Sequence, residues 1–316
     1  MIELAELKVF VMAAEENSFS RAAERLHLSQ SAVSQTIQAL EKTFGVKLFL
    51  RQGRSVRVNE AGQALLPLAR EMLSSARLMM DTMSNLQNQV VGELALGCST
   101  ASGKYLLPGL VAAYRREYPA VKVRIHILSW DEVFTRLLDE RLSLGVMSKV
   151  IEHHDVEYRP LFEDHMILIA PAGHPWAAYG RALPADLLDQ SLIMREARAG
   201  TTTVVLEGLA QHSISPDMLD VVMEVGNAEA IEMAVEEGIG VAFVSALAAA
   251  RGLAAGRIRQ VNVEGLELSR MIYIARSTRS PLTRAQERFW AFAQEHRPDL
   301  ASQLSKTISG LKAALA

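Results

Sequence analysis

Residues 18–62 read SFSRAAERLHLSQSAVSQTIQALEKTFGVKLFLRQGRSVRVNEAG, two short helical patterns followed closely by a compact basic hairpin. No other stretch restricts the fold as tightly. Just ahead of it, Leu4, Leu7, Phe10, Val11 and Ala14 recur at helical spacing and predict a first helix over residues 3–16 with one buried face. Ser20 is placed to cap a short second helix whose inward positions are Ala22, Ala23 and Leu26, and the alanines let helices approach closely. His27 and Leu28 make a turn, Ser29 caps a third helix, and Val33, Ile37, Leu40 and Phe44 form its buried stripe. Gly45 ends that helix as a left-handed cap. Residues 47–50 and 56–58 then read as two strands joined through Gln52-Gly53-Arg54. This is the outline of a winged helix-turn-helix.

The outward face of the third helix is a row of short hydrogen-bonding side chains: Ser29, Gln30, Ser31, Ser34, Gln35 and Gln38. Such groups match the donors and acceptors that base pairs show in the major groove. Charge adds to this. Residues 42–59 hold Lys42, Lys47, Arg51, Arg54 and Arg57 and no acid, whereas residues 1–41 set three basic residues against six acids. With a net charge of −3 for the whole chain, generic polyanion binding is disfavoured and one local phosphate-gripping patch, led by Arg51 and Arg54, is expected. The alternative on pattern alone is a small helical domain whose polar helix face is merely solvated.

The segment also resembles the LysR-type transcriptional regulators. The shared positions are Ala22, Ala23, Leu26, Ser29, Gln30, Ala32, Val33, Ser34, Ile37, Leu40, Glu41, Gly45, Leu48, Phe49, Arg51, Arg54, Val56 and Gly62. That many matches at fixed spacing outweigh any short motif. Two positions depart: Ser31 stands where proline is common, and Asn59 where threonine is usual. The resemblance implies a regulator acting on double-stranded operator DNA, with RNA polymerase as a further partner.

From Glu60 to about Asn88 an unbroken helical pattern carries Ala61, Leu65, Leu68, Met72, Ala76, Met79, Met83 and Leu86 at three- and four-residue steps. A helix of that length spans roughly 43 Å at ~1.5 Å per residue. A small headpiece cannot bury such a seam alone, so it pairs with a second copy or packs on the chain's other domains. The resemblance favours pairing, as a homodimer and further as a homotetramer. Pro67 removes one amide donor inside this helix.

After Gly92 strands and helices alternate for about 200 residues, an α/β organisation suited to two lobes. Strands are expected at 93–97, 122–128, 142–147, 165–170, 192–194, 221–224, 241–244 and 271–275. Helices are expected at 104–118, 131–140, 202–212 and 228–237. The resemblance implies an effector domain of the periplasmic-binding-protein type 2 kind. The chain then divides into a DNA-binding domain at 1–59, a linker helix at 60–89 and an effector domain at 90–316. Its first lobe takes 90–163 and 267–316, its second 164–266, with crossings near 162–164 and 267–270. Residues 299–316 read as an added amphipathic helix.

Two segments suit a ligand between the lobes. Cys98-Ser99-Thr100-Ala101-Ser102-Gly103 lies between a strand and a helix, and Arg198-Ala199-Gly200-Thr201-Thr202-Thr203 does so in the other lobe. Hydroxyls beside free helix-start amides form an anion cradle, although ordinary capping by Ser or Thr gives the same pattern. The resemblance implies that both segments serve the effector. The expected contacts are therefore Ser99, Thr100, Ala101, Ser102, Arg198, Thr201 and Thr202, with Ser148 and, more as a helix cap, Asn227 behind them. The stretch GCSTASGKYLLP is similar to the branch regulating carbon fixation and cysteine metabolism, which points to a small anionic metabolite.

Other chemistries find little support. Cys98 is the single cysteine, which excludes an intramolecular disulfide and fits a reducing cytoplasm. His153, His154, Asp155 and His165 lack a repeatable metal-ligand spacing. Gly238-Ile239-Gly240 precedes a strand where a dinucleotide loop would follow one, so it reads as a turn. No nucleophile–base set, metal cluster or cofactor loop is recognisable, so neither an enzyme nor a cofactor is expected. A solute-binding receptor would share the two lobes but carry a secretory signal and no DNA-binding head. The chain starts directly on an amphipathic helix with Glu3 and Glu6, and it has no apolar run long enough for a membrane helix.

Overall fold

The computed structural model of the chain describes residues 2–52, 55–85, 90–197 and 199–297. The chain separates into two compact units, Met1–Val91 with the short piece Arg279–Arg284, and Gly92–Thr278 with the chain from Ala285.

The first unit begins with three helices, α1 (Leu4–Glu16), α2 (Phe19–Leu26) and α3 (Gln30–Phe44). A two-stranded hairpin of β1 (Phe49–Gln52) and β2 (Ser55–Val58) follows, and then the long helix α4 (Glu60–Asn85). Leu7, Phe10, Ala22, Val33, Ile37, Leu40 and Leu48 are buried in one core. Within it Phe49 meets Phe10 and Phe19 edge-on, at ring-centroid distances of 5.6 and 5.3 Å. These contacts seat the hairpin on the helices. Three expectations are corrected. Ser18, not Ser20, caps α2, accepting from the Arg21 amide at 3.3 Å. The wing's first strand begins at Phe49, because Gly45 turns the chain with φ +71° and residues 46–48 have yet to straighten. Phe44 lies at the exposed end of α3, 37% accessible, and the position closing the stripe is Glu41, which is buried.

Glu41 explains how helix and wing stay together. Its carboxylate accepts the Leu48 amide at 2.9 Å and the Lys47 ammonium at 2.7 Å. Burial pushes this carboxyl up, but the hydrogen bonds from Lys47 and the Leu48 and Phe49 amides, with the Lys47 charge, outweigh it and hold the group below its ordinary value. At the start of α4, Asn59 Oδ1 accepts from the Gly62 amide at 2.9 Å. A Cβ on Gly62 would stand 2.3 Å from the Leu48 carbonyl oxygen, so only glycine allows α4 to leave so close to the wing.

Pro67 lies inside α4, and Leu65, Leu66, Ala69 and Leu73 pack on the head. Leu68, Met72, Met79 and Met83 are at least half exposed in the single chain. The expected end of the seam, Leu86, lies outside the described residues.

The second unit is built on a ten-stranded sheet, with order β4-β3-β5-β12-β6-β10-β8-β9 along its main path. Its first half holds β3 (Gly92–Cys98), α5 (Leu107–Glu117), β4 (Val121–Ile127), α6 (Trp130–Leu138) and β5 (Leu144–Met147), with β3 parallel to both β4 and β5. The long strand β6 (Val156–Pro171) leads through α7 (Pro175–Tyr179) and the short β7 (Arg181–Ala182) into the second half. There β8 (Ser191–Arg195), α8 (Gly200–Gln211), β9 (Asp220–Val225), α9 (Ala228–Glu236) and β10 (Val241–Ser245) repeat the parallel βαβ pattern, β8 lying between β9 and β10. Then come α10 (Ala246–Ala254), β11 (Ile258–Val263), β12 (Leu268–Ser277) and α11 (Arg284–Glu295). Each half is the open α/β arrangement that buries a sheet between helices.

The crossings expected near residues 162–164 and 267–270 fall on or at the start of strands. Both lie in the antiparallel pair of β6 and β12, where Arg270 stands opposite Asp164 and Leu268 opposite Met166. The register slips between Ile272 and Tyr273, which pair with Phe162 and Pro160, leaving Leu161 as the bulged residue. Pro160, with no amide to donate, is accommodated at that bulge. The expected elements at 104–118 and 142–147 also shift: the helix begins at Thr100 through a wide π-type turn over Ser102–Leu106, and β5 begins at Leu144. Strand β11 and helices α7 and α10 fall outside the expected set. The expected helix at 299–316 lies outside the described residues.

Glu41→Gln is expected to remove about 1–3 kcal/mol of head stability at pH 7, through one weakened and one lost charge-assisted hydrogen bond. Because the folded carboxyl titrates below its unfolded value, its contribution is present above the unfolded pKa and fades as pH falls through the folded one. Denaturant melts of wild type and variant should therefore converge on acidification below pH ~4.

Candidate DNA interface and effector site

On α3, Gln30, Ser31, Gln35 and Gln38 are exposed and Ser34 is half-buried. Ser29 is the helix cap: its Oγ accepts the Ala32 amide at 3.1 Å and lies 2.9 Å from Ser31 Oγ. Thr36 faces back, donating to the Ala32 carbonyl. The five remaining polar side chains thus form one unobstructed face. Lys42, Lys47 and Arg57 are exposed on the wing side; Lys47 pairs with Glu41, while Lys42 and Arg57 have no ion pair among the described residues. The side chain of Arg51 and the whole of Arg54 lie outside the described residues.

In the second unit, the segment after β3 turns directly into helix. Ser99 accepts the Gly103 amide through its carbonyl at 2.9 Å, and its hydroxyl lies 3.4 Å from Ser102 Oγ. Ser102 and Ala101 are buried, while Ser99 and Thr100 are half-exposed. Sequence reasoning thus groups four neighbours of which the outer two face solvent. Cys98 is fully buried, and burial pushes its thiol up to about 12. A thiol so poorly ionised is a core residue, not a redox centre.

Across the sheet, α8 begins after Ala199, which has no side chain able to cap it. The amides of its first turn are accordingly left for another acceptor. Thr201 and Thr202 are both buried. The Thr202 hydroxyl lies 2.9 Å from the Arg195 carbonyl and 3.1 Å from that of Glu196, so its one hydrogen serves the loop that leads into its own helix. Thr201 has no such bond among the described residues. Arg198 lies outside the described residues.

Two residues from other elements meet this helix start. A Cβ on Gly200 would stand 2.7 Å from Ser148 Oγ, at the end of β5, and 2.8 Å from Arg270 Nη1, on β12. Arg270 donates from Nε and Nη2 to Asp164 Oδ2 at 3.1 and 2.9 Å, and Ser245 donates to Oδ1 of the same carboxylate at 2.5 Å. Ser245 also accepts the Leu247 amide, so it caps α10 while it holds Asp164. Ser148, a minor candidate on sequence, is thereby joined to the second helix start. Arg270, Asp164 and Ser245 go unmarked in the sequence reading. Their signal is an acid, Asp164, just ahead of the apolar run 166–170, where an unpaired charge could not remain.

A second contact joins the halves. Lys104, beside the first hydroxyl segment, forms an ion pair with Glu229, in the first turn of α9, and Tyr105 donates to the same carboxylate at 2.9 Å. The Lys104 hydrogen bond, against some desolvation and with the Tyr105 bond, holds Glu229 below its ordinary value. Nearby, Tyr105, Glu229, Glu232, Glu236, Arg251 and Arg257 line a cavity of about 420 Å³. Desolvation, with the charge of Glu236, raises the buried Glu232 carboxyl. Asn227 caps α9, accepting the Glu229 amide at 2.8 Å, which is the structural role expected of it.

The loop histidines of residues 153 and 154 lie together. His153, His154 and Asp155 hold potential ligand atoms within 4.8 Å of one another, with His154 Nε2 3.4 Å from Asp155 Oδ1. His153 Nδ1 accepts the Asp155 amide at 3.1 Å, a bond that turns the loop back on itself. His165 stands apart on β6. Gly238 closes α9 with φ +79°, as a turn should. No helix among the described residues is long and apolar enough to cross a membrane.

Residues 4–63 match the lysR family of bacterial regulatory helix-turn-helix proteins, and residues 87–298 match the LysR substrate binding domain. The chain is 32% identical over 274 residues to a probable RuBisCO transcriptional regulator of Cyanophora paradoxa, covering 86% of this chain and 85% of that one. It is 30% identical to the HTH-type transcriptional activator CmpR of Synechocystis, covering 94% and 97%. Among solved structures, a full-length single-residue variant of OxyR from Pseudomonas aeruginosa superposes with a TM-score of 0.69 at 25% identity, covering 94% of this chain and 98% of that one. CbnR complexed with its target DNA superposes with a TM-score of 0.64 at 23% identity, covering 95% and 100%. Head, linker helix and mixed α/β domain all correspond, and the chain belongs to the LysR family: it is a DNA-binding transcriptional regulator with an effector-binding domain, not an enzyme.

Proposed function

We propose that the chain acts in the cytoplasm as a homodimer, assembling further to a homotetramer, and that a small anionic metabolite bound between the two halves of its second unit alters how it sits on operator DNA. The effector half of this reading rests on one observation. Each half of the sheet presents a hydroxyl-bearing helix start, Ser99–Ser102 in one and Gly200–Thr202 in the other, and the second has no side-chain cap. An uncapped helix start favours an anionic oxygen through its free amides and its partial positive charge. Closing the halves around such a ligand changes the domain that carries the head, and a ligand shifts an equilibrium by its difference in affinity for the two forms. Relatives named as probable RuBisCO transcriptional regulators suggest carbon fixation as the process regulated. The lobe boundaries adopted are residues 90–163 with 267–316, and 164–266.

For DNA, Gln30, Ser31, Ser34, Gln35 and Gln38 read base edges, and Arg51 and Arg54 grip the backbone or minor groove, with Ser29 capping the reading helix. Two such helices on a two-fold axis read half-sites about one helical turn apart. The exposed stripe Leu68, Met72, Met79 and Met83 supports pairing along α4, since an apolar row of this kind is left wet in a lone chain.

Three outcomes check the reading. Met72→Glu with Met79→Glu should yield monomers in sedimentation and weaken operator binding roughly a hundredfold or more, because the second half-site no longer binds intramolecularly. Arg54→Ala should weaken binding to every sequence and lower the salt slope by about one, whereas Gln35→Ala should relax preference at one position. Calorimetry against a panel of acidic metabolites should find one whose binding is lost in a Thr100→Ala, Thr201→Ala double variant. Equal binding by that variant and wild type would remove the effector site from these segments.

A further inference from the structure

We infer that the cavity between α9, α10 and Tyr105 is a second ligand site, separate from the effector segments, and that it takes a small zwitterion carrying an ammonium and a carboxylate. Its volume of about 420 Å³ falls within the range of small-molecule sites, roughly 300–1,000 Å³. No residue of Ser99–Ser102 or Gly200–Thr202 lines it, and neither does Ser148. Glu229, Glu232 and Glu236 recur along α9 at three- and four-residue steps, so that helix turns one acidic face toward the cavity. Helix α10 contributes Arg251, and Arg257 stands just beyond its end.

The charges around the cavity do not cancel in pairs. Lys104 is matched to Glu229. Arg257 serves two acids at once: its Nε donates to Glu236 Oε1 at 2.7 Å, while Nη2 stands 3.7 Å from Glu232 Oε1, too far for a hydrogen bond. Glu232 is only 7% exposed, and a carboxylate so buried needs a close donor. A Cβ at Gly252 would overlap that carboxylate, so the glycine in α10 is what makes room for an acid here. Arg251 is exposed and has no ion pair among the described residues. One acid and one base are therefore left over beside the same cavity. An ammonium brings the donors that Glu232 lacks, and a carboxylate fits the fork of Arg251. Met233 and Ala248 offer an apolar wall to the carbon chain between the two groups. Burial, with the charges of Glu236 and Glu229 against that of Arg257, raises the Glu232 carboxyl. Ammonium binding needs its ionised form, so affinity grows as pH rises through that ionisation.

The test is calorimetry on the full-length protein with glycine, β-alanine, γ-aminobutyrate and leucine, against propylamine and propionate at equal ionic strength. At least one zwitterion should bind more tightly than either singly charged compound. Arg251→Ala should weaken it about tenfold or more, and Glu232→Gln by a similar factor. Wild-type affinity should rise with pH, and Glu232→Gln should remove that dependence. Should Glu232→Gln not fold, Arg251→Ala and the wild-type pH profile decide. The site falls if no zwitterion binds, if propylamine binds equally well, or if Arg251→Ala changes nothing. The Thr100→Ala, Thr201→Ala variant should bind the zwitterion as wild type does. Loss of binding there would place the zwitterion in the effector segments and overturn the second site while leaving the effector reading intact.

Discussion

Asp164 and Arg270 face each other across the one pair of strands that runs through both halves of the effector domain. Strands β3, β4 and β5 form one parallel set and β8, β9 and β10 another; β6 and β12, laid antiparallel, are the seam between them. At the middle of that seam the chain buries an acid and a base. Removing two charges from water is expensive, and their attraction compensates only when geometry is good and the remaining lone pairs are satisfied. Both conditions hold, because the guanidinium grips one carboxylate oxygen with two nitrogens and Ser245 donates to the other. Removing either partner of such a pair costs about 3–5 kcal/mol in general. The same three side chains tie α10 to the seam and bring the base beside the start of α8, so strand pairing and helix capping share one network.

The head is organised by a smaller version of the same device. Glu41 is an acid on the buried stripe of α3, where an apolar residue would be expected. It is retained because the chain must reverse into the wing immediately after Gly45, which leaves the Leu48 amide without a strand partner. Taking that amide and the Lys47 ammonium together, the carboxylate fixes the wing relative to the reading helix. The basic residues of the hairpin are thereby presented at an angle set from within the protein. In both units a buried carboxylate converts a change in chain direction into a fixed geometry.

What can be read in advance follows from where the physics is local. Helical spacing locates α1, α3, α6 and α9, and strand runs locate β3, β4, β8 and β10, to within a few residues, because each carries its own pattern of burial. Phe44 misleads, since spacing marks a face and not where that face runs past the core. Ser20 stands two positions too far along, because Ser18 and Ser20 are chemically equivalent caps and only the entry angle of the chain separates them. Strand β6 is legible only at its apolar end: Pro160 and the acids Glu163 and Asp164 look like a break until the bulge at Leu161 and the ion pair with Arg270 explain them. The candidate site is legible as two hydroxyl segments. The packing of Arg270 on the start of α8 is not, because Arg270 comes from a strand about 70 residues beyond it, and proximity of that kind exists only after folding.

The two ties between the halves differ in kind, and the difference bears on movement. Asp164 and Arg270 are sealed from water on the continuous strands, where solvent screening is weak and separation would strand a charge. Lys104 and Glu229 are each more than one third exposed, and an exposed pair of this type contributes about 0–1 kcal/mol at most. Tyr105 adds one hydrogen bond to the same carboxylate. A relative motion of the halves would break the Lys104–Tyr105–Glu229 contact at lower cost than the seam. The hydroxyl segment at Ser99–Ser102 lies directly ahead of Lys104, so the weaker tie sits beside that loop, while Arg270 belongs to the buried seam.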